Sequence, residues 1–260
     1  MLPDSTRRPT ISVITATLNS AADLPHLFSS LRLQSDRQFQ CVIVDGGSGD
    51  GTWGLVESHR DIVTLAIREP DHGLYDALNK GIRASSTDFY VVLGADDTLN
   101  PDAIEHFKRV AGSSGADVVV AAVSADGKVR RGYHRDRAWL GHSAMVTSHS
   151  VGMLVRKILH DRFGYYSLRY PILADGYFIK RVCTADDVKV VQADFIAGEF
   201  GFHGASNRNL SRVLCESWQI QLETGENKVV QYLLFQCRLL RNLPRLLFRE
   251  SGAKNPVDQP

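Results

Sequence analysis

Cysteine is scarce in this chain of 260 residues: Cys41, Cys183, Cys215 and Cys237 are scattered, with no CxxC pair and no histidine nearby at zinc spacing. That pattern argues against a disulfide scaffold or a thiolate metal site, and predicts reduced core thiols in a reducing compartment. No run of about 18 uncharged apolar residues occurs, so no bilayer-spanning helix is expected and any membrane contact must be peripheral. A charge surplus is missing as well. With 30 basic and 29 acidic residues and a formal net charge of +1, the whole chain has no field that favours a polyanion, and a nucleic-acid partner is not expected. The segment Met1 to Thr10 carries Asp4, Arg7 and Arg8 but no apolar signal stretch, which predicts a cytoplasmic protein. The glycines do not form GxGxxG, so a hydride-transferring dinucleotide enzyme loses its main support.

What is present is an alternation of short β-branched runs with amphipathic stretches, as in βαβ units around a mostly parallel sheet. Strands are predicted at Ile11 to Thr15, Gln40 to Val44, Ile62 to Ile67, Phe89 to Leu93 and Val118 to Val123, several of them continuous apolar runs suited to burial on both faces. Helical spacing appears over Ala21 to Leu33 and Tyr75 to Ala84, and a further helix should open at Pro101 with Asn100 as its cap and run to about Val110. The stretch Ala125 to Tyr170 has weak periodicity. Beyond it, helices are expected over Leu210 to Glu223 and from Lys228 to about Leu243, where Pro244 should end or kink the second one. The expected organisation is an α/β domain over residues 8–205 and a helical extension with a polar tail over residues 206–260.

In an open parallel sheet ligands bind beyond the carboxyl ends of the strands. The first predicted strand exits into Thr15-Ala16-Thr17-Leu18-Asn19, the second into Asp45-Gly46-Gly47-Ser48-Gly49-Asp50-Gly51-Thr52, and the fourth into Gly94-Ala95-Asp96-Asp97. The second of these exits also reads as a plain turn with Thr52 as a helix cap. Two adjacent carboxylates after a buried strand are costly unless a cation or donor group meets them. A hard ion such as Mg2+ or Mn2+ would suit them, and helix-start acids ahead of Pro101 are the alternative.

Taken in order, TATLN, VDGGSGDGT, EPDHGLYDALNKGI and VVLGADD make the chain resemble family 2 glycosyltransferases of the GT-A fold, particularly bacterial members that build exopolysaccharide or lipopolysaccharide chains. The resemblance is continuous over about residues 10–110 and weaker through 205. It implies that Thr15, Thr17 and Asn19 line a nucleotide pocket, that Asp45 reads the base, that Asp96 meets the ribose and Asp97 the metal, Mn2+ or Mg2+. Gly94 and Ala95 depart from relatives that carry a further acid or amide there. Asp71, Asn79 and Lys80 would border the donor, although Asp71 also reads as a helix cap and Lys80 as a solvated side chain. By the same resemblance Asp175, in ADGYFIKR, is the base that deprotonates the acceptor in an inverting transfer, His203 is a metal ligand and His149 lies near the acceptor. The expected partners are a nucleotide-diphosphate sugar donor and a glycan or polyprenyl-linked acceptor. Nucleotidyl transfer to a sugar phosphate remains an alternative, without the basic glycine-rich loop it would want; a non-catalytic sugar-nucleotide-binding protein is another.

Lys228 to Arg249 holds five basic residues and no acidic one, with Arg238, Arg241, Arg245 and Arg249 at helical spacing. Such a segment either lies on anionic lipid at the inner face of the cell membrane or packs on the domain with a solvated arginine face.

Overall fold

The computed structural model describes residues 8–146, 150–201 and 209–249. Two compact units result, Met1–Gly204 and Ala205–Pro260. In the first, chain order runs β1 (Ile11–Thr17), α1 (Leu24–Arg32), β2 (Gln40–Asp45), α2 (Thr52–Ser58), β3 (Leu65–Arg68), α3 (Leu74–Ala84), β4 (Phe89–Val92), β5 (Thr98–Leu99), α4 (Ala103–Ser114), β6 (Val118–Ala125) and β7 (Lys128–Arg130). A 3-10 turn over Arg135–Leu140 leads to α5 (His142–Met145), then β8 (Met153–Arg156), α6 (Leu159–Phe163), α7 (Ala174–Thr184) and β9 (Val190–Glu199). The second unit holds α8 (Leu210–Glu223) and α9 (Lys228–Arg249).

One sheet, ordered β3-β2-β1-β4-β8-β6-β9-β5 with β7 beside β6, carries the first unit. Its first four strands are parallel. Ile11, Val13 and Ile14 of β1 and Val42, Ile43 and Val44 of β2 are fully buried, as expected of strands covered on both faces. Helix α3 lies close on this layer because residue 81 is glycine: a Cβ there would meet Ile14 Cγ2 at 2.7 Å and Val44 Cγ2 at 3.2 Å. Past β4 the sheet becomes mixed. Strand β8 enters antiparallel between β4 and β6, while β6 and β9 pair in parallel and β5 closes antiparallel on β9.

Several boundaries differ from the sequence expectation. Ile62 and Val63 are buried but belong to a turn, and β3 begins at Leu65. Asn100 does not cap α4. Its side chain donates to Ile196 O at 2.8 Å, which ties it to β9, and Asp102 stands at the cap while Gly115 closes the helix at φ +65°. In the weakly periodic stretch lies β8, whose four residues are too short to show a period.

In the second unit, Asn209 Oδ1 accepts from Arg212 N and caps α8, and Trp218 stacks on Phe235 at 5.2 Å between the two helices. Pro244 does not end α9, which continues to Arg249; a proline removes one N–H and a single intrahelical bond, and the helix tolerates that loss. Cys215 and Cys237 are exposed rather than core thiols, whereas Cys41 and Cys183 are buried and their thiols are pushed up to about 12 by burial. Val229, Tyr232, Leu233, Leu240 and Leu243 form an exposed apolar stripe at helical spacing along α9. Among the described residues no helix is long and apolar enough to cross a membrane.

Candidate active site

Because β1 to β4 run parallel, their carboxyl ends share one edge of the sheet. The exits of β1 and β2 are laced together there by short polar side chains. Asn19, at φ +51° in the left-handed region that asparagine tolerates, donates its N–H to Ser48 Oγ at 2.8 Å and accepts from Gly49 N at 3.0 Å. Ser20 N donates to Thr52 Oγ1, and Ala21 N to Asp50 Oδ2. Thr52 is the first residue of α2 rather than its cap, and Asp50 Oδ1 accepts from its N–H.

Asp45 lies at the centre of this lacing with no exposed surface. Its Oδ1 accepts from Ser48 Oγ at 2.5 Å and Thr17 Oγ1 at 3.2 Å, and its Oδ2 from Ser48 N at 3.1 Å and Gly47 N at 3.3 Å. Arg68 at the end of β3 brings Nε to 3.5 Å and holds Ser48 O with Nη2. A buried carboxylate needs such partners, and with these donors gathered on it Asp45 is a structural anchor of this edge. Thr17 supports it from β1. Thr15 is fully buried and its hydroxyl has no hydrogen-bond partner among the described residues. Sequence reasoning missed Arg68, which sits at a strand end without any motif around it.

A different carboxylate stands at this edge. Asp71, half-buried, accepts from Gly73 N at 2.8 Å and lies directly over Gly46, where any side chain would collide with it. Leu18, largely exposed, borders the same glycine. Asn79 and Lys80, expected to border the donor, both engage neighbouring protein groups. The buried Asn79 amide donates to Tyr166 O at 2.8 Å and accepts from Tyr166 N at 3.0 Å. Lys80 Nζ donates to Pro70 O at 2.8 Å and pairs with Glu69 and Asp76, clasping the EPD turn to α3.

At the β4 exit, Asp97 is buried, with Oδ2 accepting from Gly94 N at 2.6 Å and Oδ1 from Gly201 N at 2.8 Å, while Asp96 is half-buried. Thus the acid expected on the metal is the less accessible of the two. A Cβ at Gly94 would meet Asp96 Oδ1 at 2.8 Å and Asp97 Oδ2 at 3.2 Å, so glycine at 94 leaves room for both acids. Two carboxylate oxygens converging on one point fit a hard cation. Among the described residues no set of three His, Cys, Asp or Glu side chains forms a metal site, and further ligands would come from phosphate and water. His203 and His149 lie outside the described residues.

Asp175 occupies the first turn of α7, behind Leu173 at the cap position, so it is not the N-cap. Its Oδ1 accepts from Tyr75 Oη and from Gly176 N, each at 2.7 Å. Behind it, the Tyr90 hydroxyl meets both Tyr166 Oη at 3.1 Å and His160 Nε2 at 2.8 Å. Burial lowers the His160 imidazole to about 4, so the folded state holds it neutral. His142, at the start of α5, packs its ring on Gly176, where a Cβ would meet Nδ1 at 2.6 Å.

The glycosyl transferase family 2 profile matches residues 12–175. The chain is a family 2 glycosyltransferase. It is 28% identical over 251 residues to a PGL/p-HBAD biosynthesis glycosyltransferase of Mycobacterium tuberculosis, covering 93% of each chain. By structure it is similar to the mannosyltransferase PcManGT from Pyrobaculum calidifontis, solved in complex with GDP-Man and Mn2+, with TM-score 0.64, 17% identity, and coverage of 98% of this chain and 79% of that one. S. aureus TarS is similar at TM-score 0.64 and 18% identity over 90% of this chain, which spans 43% of the TarS chain; TarS 1-349 is also solved with UDP-GlcNAc. The mixed α/β sheet of this glycosyltransferase is accordingly a GT-A fold, and the family removes the nucleotidyl-transfer reading.

The anchoring role of Asp45 predicts that Asp45→Asn destabilises the fold by roughly 2–4 kcal/mol, since an amide NH2 would face donors. By contrast Asp96→Asn should cost under about 1 kcal/mol. Urea unfolding followed by tryptophan fluorescence measures both, and equal losses would contradict the division.

Proposed function

We propose that this glycosyltransferase moves a sugar from a nucleoside-diphosphate sugar to a hydroxyl of a glycan or polyprenyl-linked acceptor, with inversion at the anomeric carbon. The observation that carries the reading is the Asp175 carboxylate, oriented by Tyr75 and Gly176 at the start of α7. It takes the acceptor proton while that oxygen attacks the anomeric carbon, and the bond from this carbon to the diphosphate oxygen breaks in the same displacement. No covalent enzyme intermediate is required. The nucleotide sugars bound by PcManGT and TarS 1-349 support the donor class.

Asp96 and Asp97 are the residues that would hold a divalent cation, Mn2+ or Mg2+, which when bound offsets the charge of the departing diphosphate. Asp97 is the fixed member, held by two backbone amides, and Asp96 the accessible one, which would also meet the ribose. The base falls to Asp71 instead of Asp45. Placed over Gly46 beside Leu18, its carboxylate accepts a ring N–H, which uracil and guanine carry and cytosine lacks.

The apolar stripe of α9, on a helix with basic and no acidic side chains, supports peripheral contact with anionic lipid, where a lipid-linked acceptor would reside.

Thermal shift with Mn2+ should show stabilisation by UDP or GDP but not CDP, and Asp71→Asn should lose that preference. In the same preparation Asp175→Asn should bind donor normally and transfer at least about 100-fold more slowly. Metal-independent donor binding together with undiminished turnover in Asp175→Asn and Asp96→Asn would overturn the reading. For the membrane contact, the full chain should float with phosphatidylglycerol vesicles and the chain cut before Lys228 should not; equal flotation of the two defeats it.

A further inference from the structure

We infer that Tyr75 is the positioning residue of the transfer reaction: its phenol hydroxyl orients the Asp175 carboxylate and follows the charge on it. The inference rests on the base role given to Asp175 above. Tyr75 Oη lies 2.7 Å from Asp175 Oδ1 and 2.7 Å from Ile172 O. One hydroxyl proton therefore has two acceptors, and the side chain is only 5% exposed, so bulk water does not serve in place of either. An ionised carboxylate is the stronger acceptor and takes the proton. Once Asp175 has received the acceptor's proton its pull on the phenol weakens, and the hydroxyl turns to Ile172 O. Desolvation raises the phenol well above its ordinary value, so Tyr75 remains a donor across the working pH range.

Neighbouring groups hold this geometry without sharing it. The Tyr75 ring stands edge-on to Tyr166 at 5.5 Å, and the backbone of Tyr166 is clamped on both sides by Asn79, one turn further along α3. The motif residues Tyr75 and Asn79 thus both serve the base side of the site. The Tyr166 hydroxyl is directed to Tyr90, which makes Tyr166 a control that alters the same aromatic cluster without removing a bond to Asp175.

Among the described residues the other titratable and charged groups on the elements around α7 are Asp76, Lys80 and Arg83 on α3; Tyr90 on β4; Tyr133, whose hydroxyl donates to Cys183 O; Arg135, Asp136 and Arg137 on the 3-10 turn; His142 on α5; His160, Asp161 and Arg162 on α6; Tyr165, Tyr166, Arg169 and Tyr170 in the segment that follows; and Tyr177, Lys180, Arg181 and Cys183 on α7 itself. His142 is adjacent through Gly176 and His160 stacks on Phe178 at 4.3 Å. Asp175→Asn therefore serves to assign the acid limb of the rate profile, which should disappear with the carboxylate.

In Tyr75→Phe, kcat should fall about tenfold near neutral pH and the acid limb of kcat should move up by about one pH unit, with donor KM unchanged. Tyr166→Phe should keep the limb of the unmodified enzyme. If Tyr75→Phe gives the same limb as the unmodified enzyme while Asp175→Asn is inactive, the inference fails and the base role stands. If Asp175→Asn turns over normally, the base role itself fails. Should Tyr75→Phe not fold, 13C NMR of tyrosine Cζ in the unmodified enzyme decides the matter. One resonance should titrate with the kinetic limb and lose that titration in Asp175→Asn, and no such resonance overturns the inference.

Discussion

A carboxylate with no exposed surface, Asp45, organises the edge of the sheet where the parallel strands end. Two loop amides, two hydroxyls and the Arg68 guanidinium gather on it from the ends of β1, β2 and β3. Leaving any of these donors unpaired in a buried site costs more than the bond itself contributes. The loop after β2 therefore has little choice of path, and Asn19, Ser20 and Ala21 are drawn against it. With Asp45 occupied inward, Gly46 presents bare backbone outward, and Asp71 fills the space above it. Anchoring thereby falls to Asp45, and the accessible carboxylate beside it is Asp71.

Helix α3 links the two halves of the site. Gly81 lets it lie close on β1 and β2, Lys80 clasps the turn that carries Asp71, and Tyr75 and Asn79 reach toward α7 and the Tyr166 segment. A helix fixed at so many points transmits little slack between the carboxyl edge of the parallel strands and the Asp175 carboxylate, which is what the proposed in-line displacement requires.

Much of this was legible in the sequence. The parallel strands from β1 to β4, the acids at their ends and the helical segment after residue 209 could be read from apolar runs and their exits, because strand burial and turn chemistry are local properties. The GT-A fold followed from the order of four motifs. What could not be read was the direction in which each polar side chain is engaged. Asn79 finds its partner 87 residues away and Tyr75 finds Asp175 100 residues away, and no local pattern reports such pairings. Strand β8 stayed hidden because four residues show no period. Of the two outcomes expected at Pro244, an end or a kink, the end is excluded because α9 runs through it to Arg249.

The central claim is that Asp175 acts as a base in a single displacement on the GT-A sheet. Proton NMR of the newly formed glycosidic linkage, taken before any mutarotation, tests it most directly. The anomeric coupling constant should show the configuration opposite to that of the donor sugar; a product that retains the donor configuration would contradict the account.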